Sequence, residues 1–370
     1  MEKDTFIKIS GPSFGNEEIK AISDVIRSGW WAEGPKTEEF EKQVARYIGT
    51  KYAVATSSGS TALHTLIKAL KIGSGDEVIM PSFTFIATPN ATLYEGAKPI
   101  FVDIDQETYN IAIDAILEAI SKRTKAIIPV HWAGLCCNMQ PILEIAEDHN
   151  LLVVEDAAQA IGSMYYQQKA GSFGDGGVFS FYASKNLTVG EGGMIVTNSK
   201  DIAVRSRIIK NQGQQGSFNH VLLGYNYRTS DIASAIGLVQ LTKLEDQLKH
   251  KILLLENLTR FLSKISELKP PFVPKGYWHT YMHYTVYSRY NSFLRDKIVS
   301  FLNKKKIQSR IYIPPCHLQP FYKKLFGYKK GMLPITEEVY TRIFNLPCSA
   351  NLTMENINRI KNALTEVFKS

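Results

Sequence analysis

Apolar residues along this chain recur first with the period of a helix and then in the short blocks of buried strands. After Asn16, a cap residue, Glu17 and Glu18 fill a first turn and Ile19, Ile22 and Ile26 share one face, which predicts an amphipathic helix. A second helical pattern runs from Glu38, with Phe40, Val44 and Ile48 on one side. Apolar runs then follow at EVIMPS (77–82), KPIFVDI (98–104), KAIIPVH (125–131), LLVVED (151–156), GGVFSFY (176–182) and GGMIVTN (192–198). Helical stretches separate several of them. Strands alternating with helices predict an α/β fold whose mostly parallel sheet is covered on both faces. Ligands of such sheets gather at the carboxyl ends of the strands, where Asp156 and Lys185 fall.

Past residue 230 the pattern changes. One long helical stretch covers residues 231–265, YMHYTVYSRY (281–290) alternates like a strand, and Pro314-Pro315 breaks the chain. A final amphipathic helix carries Ile357, Ile360, Leu364 and Val367. These shifts predict a large α/β domain over residues 1–245 and a smaller α+β domain over 246–370.

Composition narrows the class. With 44% hydrophobic and 21% charged residues in 370, the chain is an ordinary globular one. The amino-terminal MEKDTFIKIS has acidic residues and no apolar signal core, and no run of 18 apolar residues occurs. Cys136, Cys137, Cys316 and Cys348 form no CxxC pair or zinc spacing, so reduced thiols, a cytoplasmic location and no metal are expected. The net charge is +8, but its lysines are scattered; Lys304-Lys305-Lys306 and Lys329-Lys330 read as solvated faces, and no nucleic-acid or membrane partner is expected. A positive field is compatible with an anionic small molecule.

Three stretches carry candidate chemistry. In TSSGSTALHTLIKAL (56–70) small hydroxyl residues lead into a helix; its free N–H groups suit a phosphate, or Ser57 or Ser58 is simply a cap. In VVEDAAQAIG (153–162) Asp156 ends an apolar strand, where it either caps the next helix or pairs with a positive ring nitrogen. In FSFYASKNLTVGEGG (179–193) Lys185 is either a solvated loop residue or a pocketed amine. A nucleotide-binding loop at Gly29 and Gly34 is excluded, because Pro35 stands where its lysine belongs and Lys36-Thr37 comes one residue late. No G-x-G-x-x-G follows Gly190 and Gly192 either, since the third position is Ile195. Together, a phosphate cradle, a carboxylate and an amine describe a pyridoxal 5′-phosphate (PLP) site.

The chain resembles the DegT/DnrJ/StrS family of PLP-dependent nucleotide-sugar aminotransferases. The resemblance rests on SGWWAEGPKTEEFE (28–41), SSGSTALH (57–64), PSFTFIAT (81–88), VEDAAQAIG, FSFYASKNLTVGEGG, GYNYRTSDIASAIGLVQL (224–241) and CHLQPFY (316–322). It implies the fold of type I PLP transferases, with a mostly parallel seven-stranded sheet flanked by helices and a smaller carboxyl-terminal domain. It implies that Lys185 binds the cofactor covalently and moves the proton, Asp156 meets the ring nitrogen, Gln159 the phenolic oxygen and Phe85 the ring face. Ser60, Thr61 and Ser180 would hold the phosphate, completed by Asn226 from the second subunit of a homodimer with shared sites. A sugar-dehydrating branch carries histidine where Lys185 stands, so transamination is implied, cycling the cofactor through pyridoxamine phosphate. L-Glutamate would be the donor and a nucleotide-linked keto sugar the acceptor, with likeness to perosamine-type enzymes favouring a 4-keto-6-deoxy sugar over a 3-keto one. Trp30, Trp31, His131, Tyr182, Arg228, Arg310 and His317 are candidates for contacts to the substrate.

Overall fold

The computed structural model describes residues 6–369. Helix α1 (Asn16–Ser28) opens where the Glu18 carboxylate accepts the Gly15 N–H at 2.8 Å, and it stops at Gly29, whose φ of 74° suits a residue without a side chain. Helix α2 (Pro35–Ile48) starts earlier than its apolar stripe predicts, with Pro35 in the first turn. Its free N–H groups are met by a distant carboxylate: Asp231 accepts from the N–H groups of Gly34, Lys36 and Thr37 at 2.8–2.9 Å and from the Thr37 hydroxyl at 2.7 Å. An internal anion thus occupies the segment whose glycine spacing imitates a nucleotide loop.

The chain then builds β1 (Tyr52–Thr56), α3 (Gly59–Ala69), β2 (Glu77–Pro81), α4 (Ala87–Tyr94), β3 (Lys98–Val102), α5 (Ile113–Ala119), β4 (Thr124–Ile127), α6 (Met139–Asp148) and β5 (Leu152–Asp156). The short strands β6 (Met164–Tyr165) and β7 (Gln168–Lys169) precede β8 (Gly176–Ser180), β9 (Gly193–Thr197) and α7 (Lys200–Lys210). Seven of these strands form one sheet in the order β1-β9-β8-β5-β4-β2-β3. Neighbours are parallel except β9, which runs antiparallel to both β1 and β8. The run at 125–131 becomes a strand only to Ile127, and β1 is a strand that the hydrophobic pattern did not single out.

Alternation along the strands covers both faces. Val78, Met80, Ile128, Val154 and Val178 pack with Leu63, Leu66 and Ile67 of α3, whereas Ile79, Ile127 and Val153 pack with Met139 and Ile142 of α6. The long helix α8 (Asp231–Leu262) follows, so the expected domain boundary at 245/246 falls inside one continuous helix. Beyond it lie β10 (Leu268–Lys269), β11 (Tyr277–Trp278), β12 (Tyr284–Ser288), α9 (Ser292–Lys304), α10 (Pro320–Phe326), α11 (Pro334–Arg342), β13 (Ile343–Leu346) and α12 (Met354–Lys369). Strands β10, β12 and β13 form a second, antiparallel sheet, and β11 joins β6 and β7 in a third. An apolar cluster continues from Phe40 and Val44 through Leu244, Leu248 and Leu255 of α8 to Tyr284, Phe344 and Ile360, tying the two larger sheets together.

Polar side chains are buried in the scaffold as well. Glu155 of β5 is fully buried, and its carboxylate accepts the N–H groups of Gly171, Phe173 and Gly174 at 2.7–2.9 Å. It also lies 2.9 Å from His131 Nε2, while His131 Nδ1 accepts the Cys137 N–H at 3.0 Å, which fixes the proton on Nε2. His131 therefore has neither surface nor a spare nitrogen for a substrate. It is a strut behind β5 and drops from the substrate candidates. Glu155→Ala leaves three amides and an imidazole without their acceptor; it is expected to lower unfolding stability by on the order of 3 kcal/mol in denaturant titration. An unchanged midpoint would contradict this account of the strut.

Candidate active site

Parallel strands end along one edge of the large sheet, and the candidate residues come from those ends. The turn from β1 into α3 is capped by Ser58, whose hydroxyl accepts the Thr61 N–H at 3.2 Å while the Thr61 hydroxyl donates to the Ser58 carbonyl at 2.9 Å. Ser60 is exposed and Thr61 half-buried at this helix start. Ser180 ends β8 against the same turn so closely that a Cβ on Gly59 would lie 2.8 Å from the Ser180 Cβ. A Cβ on Gly193, the β9 partner of Ser180, would lie 2.2 Å from the Ser58 carbonyl oxygen. Only glycines allow α3 to start this close to the sheet. Ser58 is thus the cap of this helix, and Ser60, Thr61 and Ser180 lie at its positive end, the end that a phosphate would meet.

Asp156, the last residue of β5, is 5% exposed. One carboxylate oxygen accepts the Thr88 hydroxyl at 2.7 Å and the other the Ala158 N–H at 3.1 Å. Thr88 is in turn 2.8 Å from the Thr84 hydroxyl, so the turn after β2 that carries the exposed Phe85 also holds the carboxylate. Nearby, the Gln159 side-chain oxygen accepts the Ala133 N–H at 2.8 Å.

Lys185 sits in the turn after β8, its N–H bonded to the Tyr182 carbonyl at 2.8 Å. The residue is half-buried, but its amine titrates as a group surrounded by protein. Burial pushes it down to about 8, against the pull of the Asp156 charge, which raises it. Buried His283 lies within the field of this amine; burial first, then the charges of Lys185, Lys251 and His279, push the imidazole down to about 3. It is therefore neutral near pH 7.

The remaining candidates scatter. Tyr182 shares the Lys185 turn and is exposed. Trp30 and Trp31 are exposed in the turn between α1 and α2, their indole N–H groups bonded to the carbonyls of Glu33 and Ile26. Arg228 donates to the Asn211 side chain at 2.6 Å, and Arg310 is exposed where its backbone bridges Asn345. Asn226 is exposed, and its neighbour Tyr227 accepts the Ser57 N–H at 2.9 Å, beside the start of α3. His317 is fully buried, with Nδ1 2.6 Å from the Ser82 hydroxyl and Nε2 3.1 Å from Glu337, so it clips two segments and drops from the substrate candidates. Sequence reading missed Thr88, Glu155, His283 and Lys251. A carboxylate inside an apolar strand and a lysine inside a leucine stripe are the signals for Glu155 and Lys251.

The chain as a whole is similar to known proteins. The model of the DegT/DnrJ/EryC1/StrS aminotransferase family matches residues 12–365. MJ1066 of Methanocaldococcus jannaschii, an uncharacterized protein, is 39% identical over 99% of each chain. GDP-perosamine synthase of Caulobacter vibrioides is 38% identical over 98% of each chain. The PLP-form of Spr1654 from Streptococcus pneumoniae, assigned as a sugar aminotransferase, superposes with a TM-score of 0.94 at 28% identity, covering 99% of both chains.

Since the Asp156 charge is what raises the Lys185 amine, Asp156→Asn is expected to move its titration below about 8 in the cofactor-free protein. The pH dependence of acetic anhydride labelling at the Lys185 peptide, read by mass spectrometry, checks this. A wild-type midpoint near that of an exposed lysine would contradict it.

Proposed function

The chain belongs to the DegT/DnrJ/EryC1/StrS aminotransferase family, and from that premise we propose that it moves an amino group from L-glutamate to a nucleotide-linked 4-keto-6-deoxy sugar. It is an aminotransferase, and its cofactor is PLP. The residues present fit that cofactor. A helix start approached too closely for any Cβ at Gly59 or Gly193 offers an anion its positive end, a buried carboxylate stands at the end of β5, and an amine lies in that carboxylate's field. This convergence is the observation that carries the reading.

Bound PLP supplies an electron sink for charge that develops at a substrate carbon. In this reading Ser60, Thr61 and Ser180 hold its phosphate, Gln159 meets its phenolic oxygen, and Phe85 covers one ring face. Asp156 keeps the ring nitrogen protonated, and the Thr88 hydroxyl holds Asp156 in place. Lys185 is the amine that bonds to the cofactor. With its proton affinity pushed down to about 8, Lys185 Nζ can take and return a proton near neutral pH, as the transfer between substrate and cofactor carbons demands. Tyr182, on the same turn, is the best placed of the substrate candidates, with Trp31, Arg228 and Arg310 as outer contacts.

Asn226 is read as the residue that completes the phosphate site of a second copy, so the working unit is a homodimer. Among the described residues no helix is long and apolar enough to cross a membrane, and a cytoplasmic enzyme acting in glycan biosynthesis is the corresponding reading. Kinship with the Caulobacter GDP-perosamine synthase supports amination at C4 and makes the GDP-linked sugar the first substrate to try.

Incubation with glutamate and a panel of GDP-, dTDP- and UDP-linked keto sugars is expected to release 2-oxoglutarate in step with a 4-amino sugar identified by NMR. Lys185→Ala should slow the reaction on the order of a thousandfold or more. Nitrogen at C3 would overturn the substrate proposal; no 2-oxoglutarate with any sugar would overturn the choice of glutamate and keto sugar as the reacting pair.

A further inference from the structure

Helix α8 presents a buried stripe of Leu244, Leu248, Lys251, Leu255, Leu258 and Leu262, the alternating spacing of a packed helix seam. One position of the seam is a lysine, only 2% exposed. Its Nζ donates to the Asn186 side-chain oxygen at 2.6 Å and to the Tyr281 carbonyl at 3.2 Å, and neither partner is a carboxylate. An ammonium buried without a counter-charge is costly, and leucine would complete the stripe. Packing alone gives no reason for Lys251.

Its partners supply one. Asn186 directly follows Lys185, and its amide donates to the Thr280 carbonyl at 3.2 Å. The segment that receives it is itself held: Tyr281 has a left-handed φ of 46°, its N–H bonds to His279 Nδ1 at 2.9 Å, and the two rings stack 4.1 Å apart. Lys251 thus joins three segments at one point, of which one carries the reacting amine. The charges of Lys185 and Lys251 both act on buried His283, so both amines lie near that imidazole.

We propose that Lys251 is a positioning residue for Lys185: from α8 it grips Asn186 and so fixes the turn on which the reacting amine stands. This rests on the reading of Lys185 as the amine that bonds to the cofactor. Without the grip the turn keeps its backbone bond to Tyr182 but loses its anchor to α8, and the amine spends less time in its reactive position.

The test adds PLP to the cofactor-free full-length protein and follows the visible absorbance of the bound cofactor by stopped flow, with thermal unfolding measured in parallel. Lys251→Met is expected to slow appearance of the band by about tenfold or more. Asn186→Ala should do the same, and the double variant should be no slower than the slower single one, because both remove one linkage. Lys251→Gln keeps a donor without the charge, and partial recovery of the rate is expected; it also serves if the methionine variant does not fold. A wild-type rate in Lys251→Met or, if that variant does not fold, in Lys251→Gln would overturn the proposal, as would single effects that add in the double variant, or a loss of unfolding midpoint with no change in rate. Lys185→Ala separates the two claims: a band that survives it overturns the role of Lys185, whatever Lys251 does.

Discussion

A lysine amine taken out of water loses proton affinity, and a carboxylate nearby restores part of it. At Lys185 the first effect is the larger, and the amine settles at about 8. The fold sets that balance. The turn after β8 must bury the amine, β5 must bring Asp156 within its field, and Thr88 must hold the carboxylate so that its charge stays directed there. An amine in this range can exchange a proton at neutral pH, which a solvated lysine does poorly.

The sheet meets these demands through the simplest property of a strand. Successive side chains point to opposite faces, so Glu155 and Asp156 diverge from one another at the end of β5. Glu155 turns into the scaffold, where it holds His131 and the amides of residues 171, 173 and 174 ahead of β8. Asp156 turns towards Thr88 and the site. The two carboxylates thus face different surroundings, one the scaffold and the other the candidate site. Because β5 and β8 are adjacent and parallel, the loop fixed by Glu155 leads into the strand that delivers Ser180 and then Lys185.

Much of this was legible in the sequence. Apolar runs located most of the large-sheet strands, because parallel strands buried on both faces read as continuous apolar blocks. The phosphate-type helix start, Asp156 and Lys185 stood out for the converse reason, as polar groups at the edges of such blocks. The reversed direction of β9 was not legible, since periodicity carries no strand direction. Nor was the fate of His131 and His317: a histidine at a strand end looks the same whether it faces a ligand or a buried carboxylate, and only the fold brings Glu155 and Glu337 to them. Lys251 hid within a long helix because its role depends on Asn186, 65 residues away in the chain.

Borohydride reduction of the PLP-loaded protein, followed by peptide mapping, tests the central claim most directly. A cofactor bonded to Lys185 becomes fixed there, and the account predicts the added pyridoxyl mass on the peptide that contains Lys185 and on no other lysine. Recovery of that mass on Lys251 or any other lysine, or its absence from every peptide of a protein with the cofactor's visible absorbance, would contradict the account.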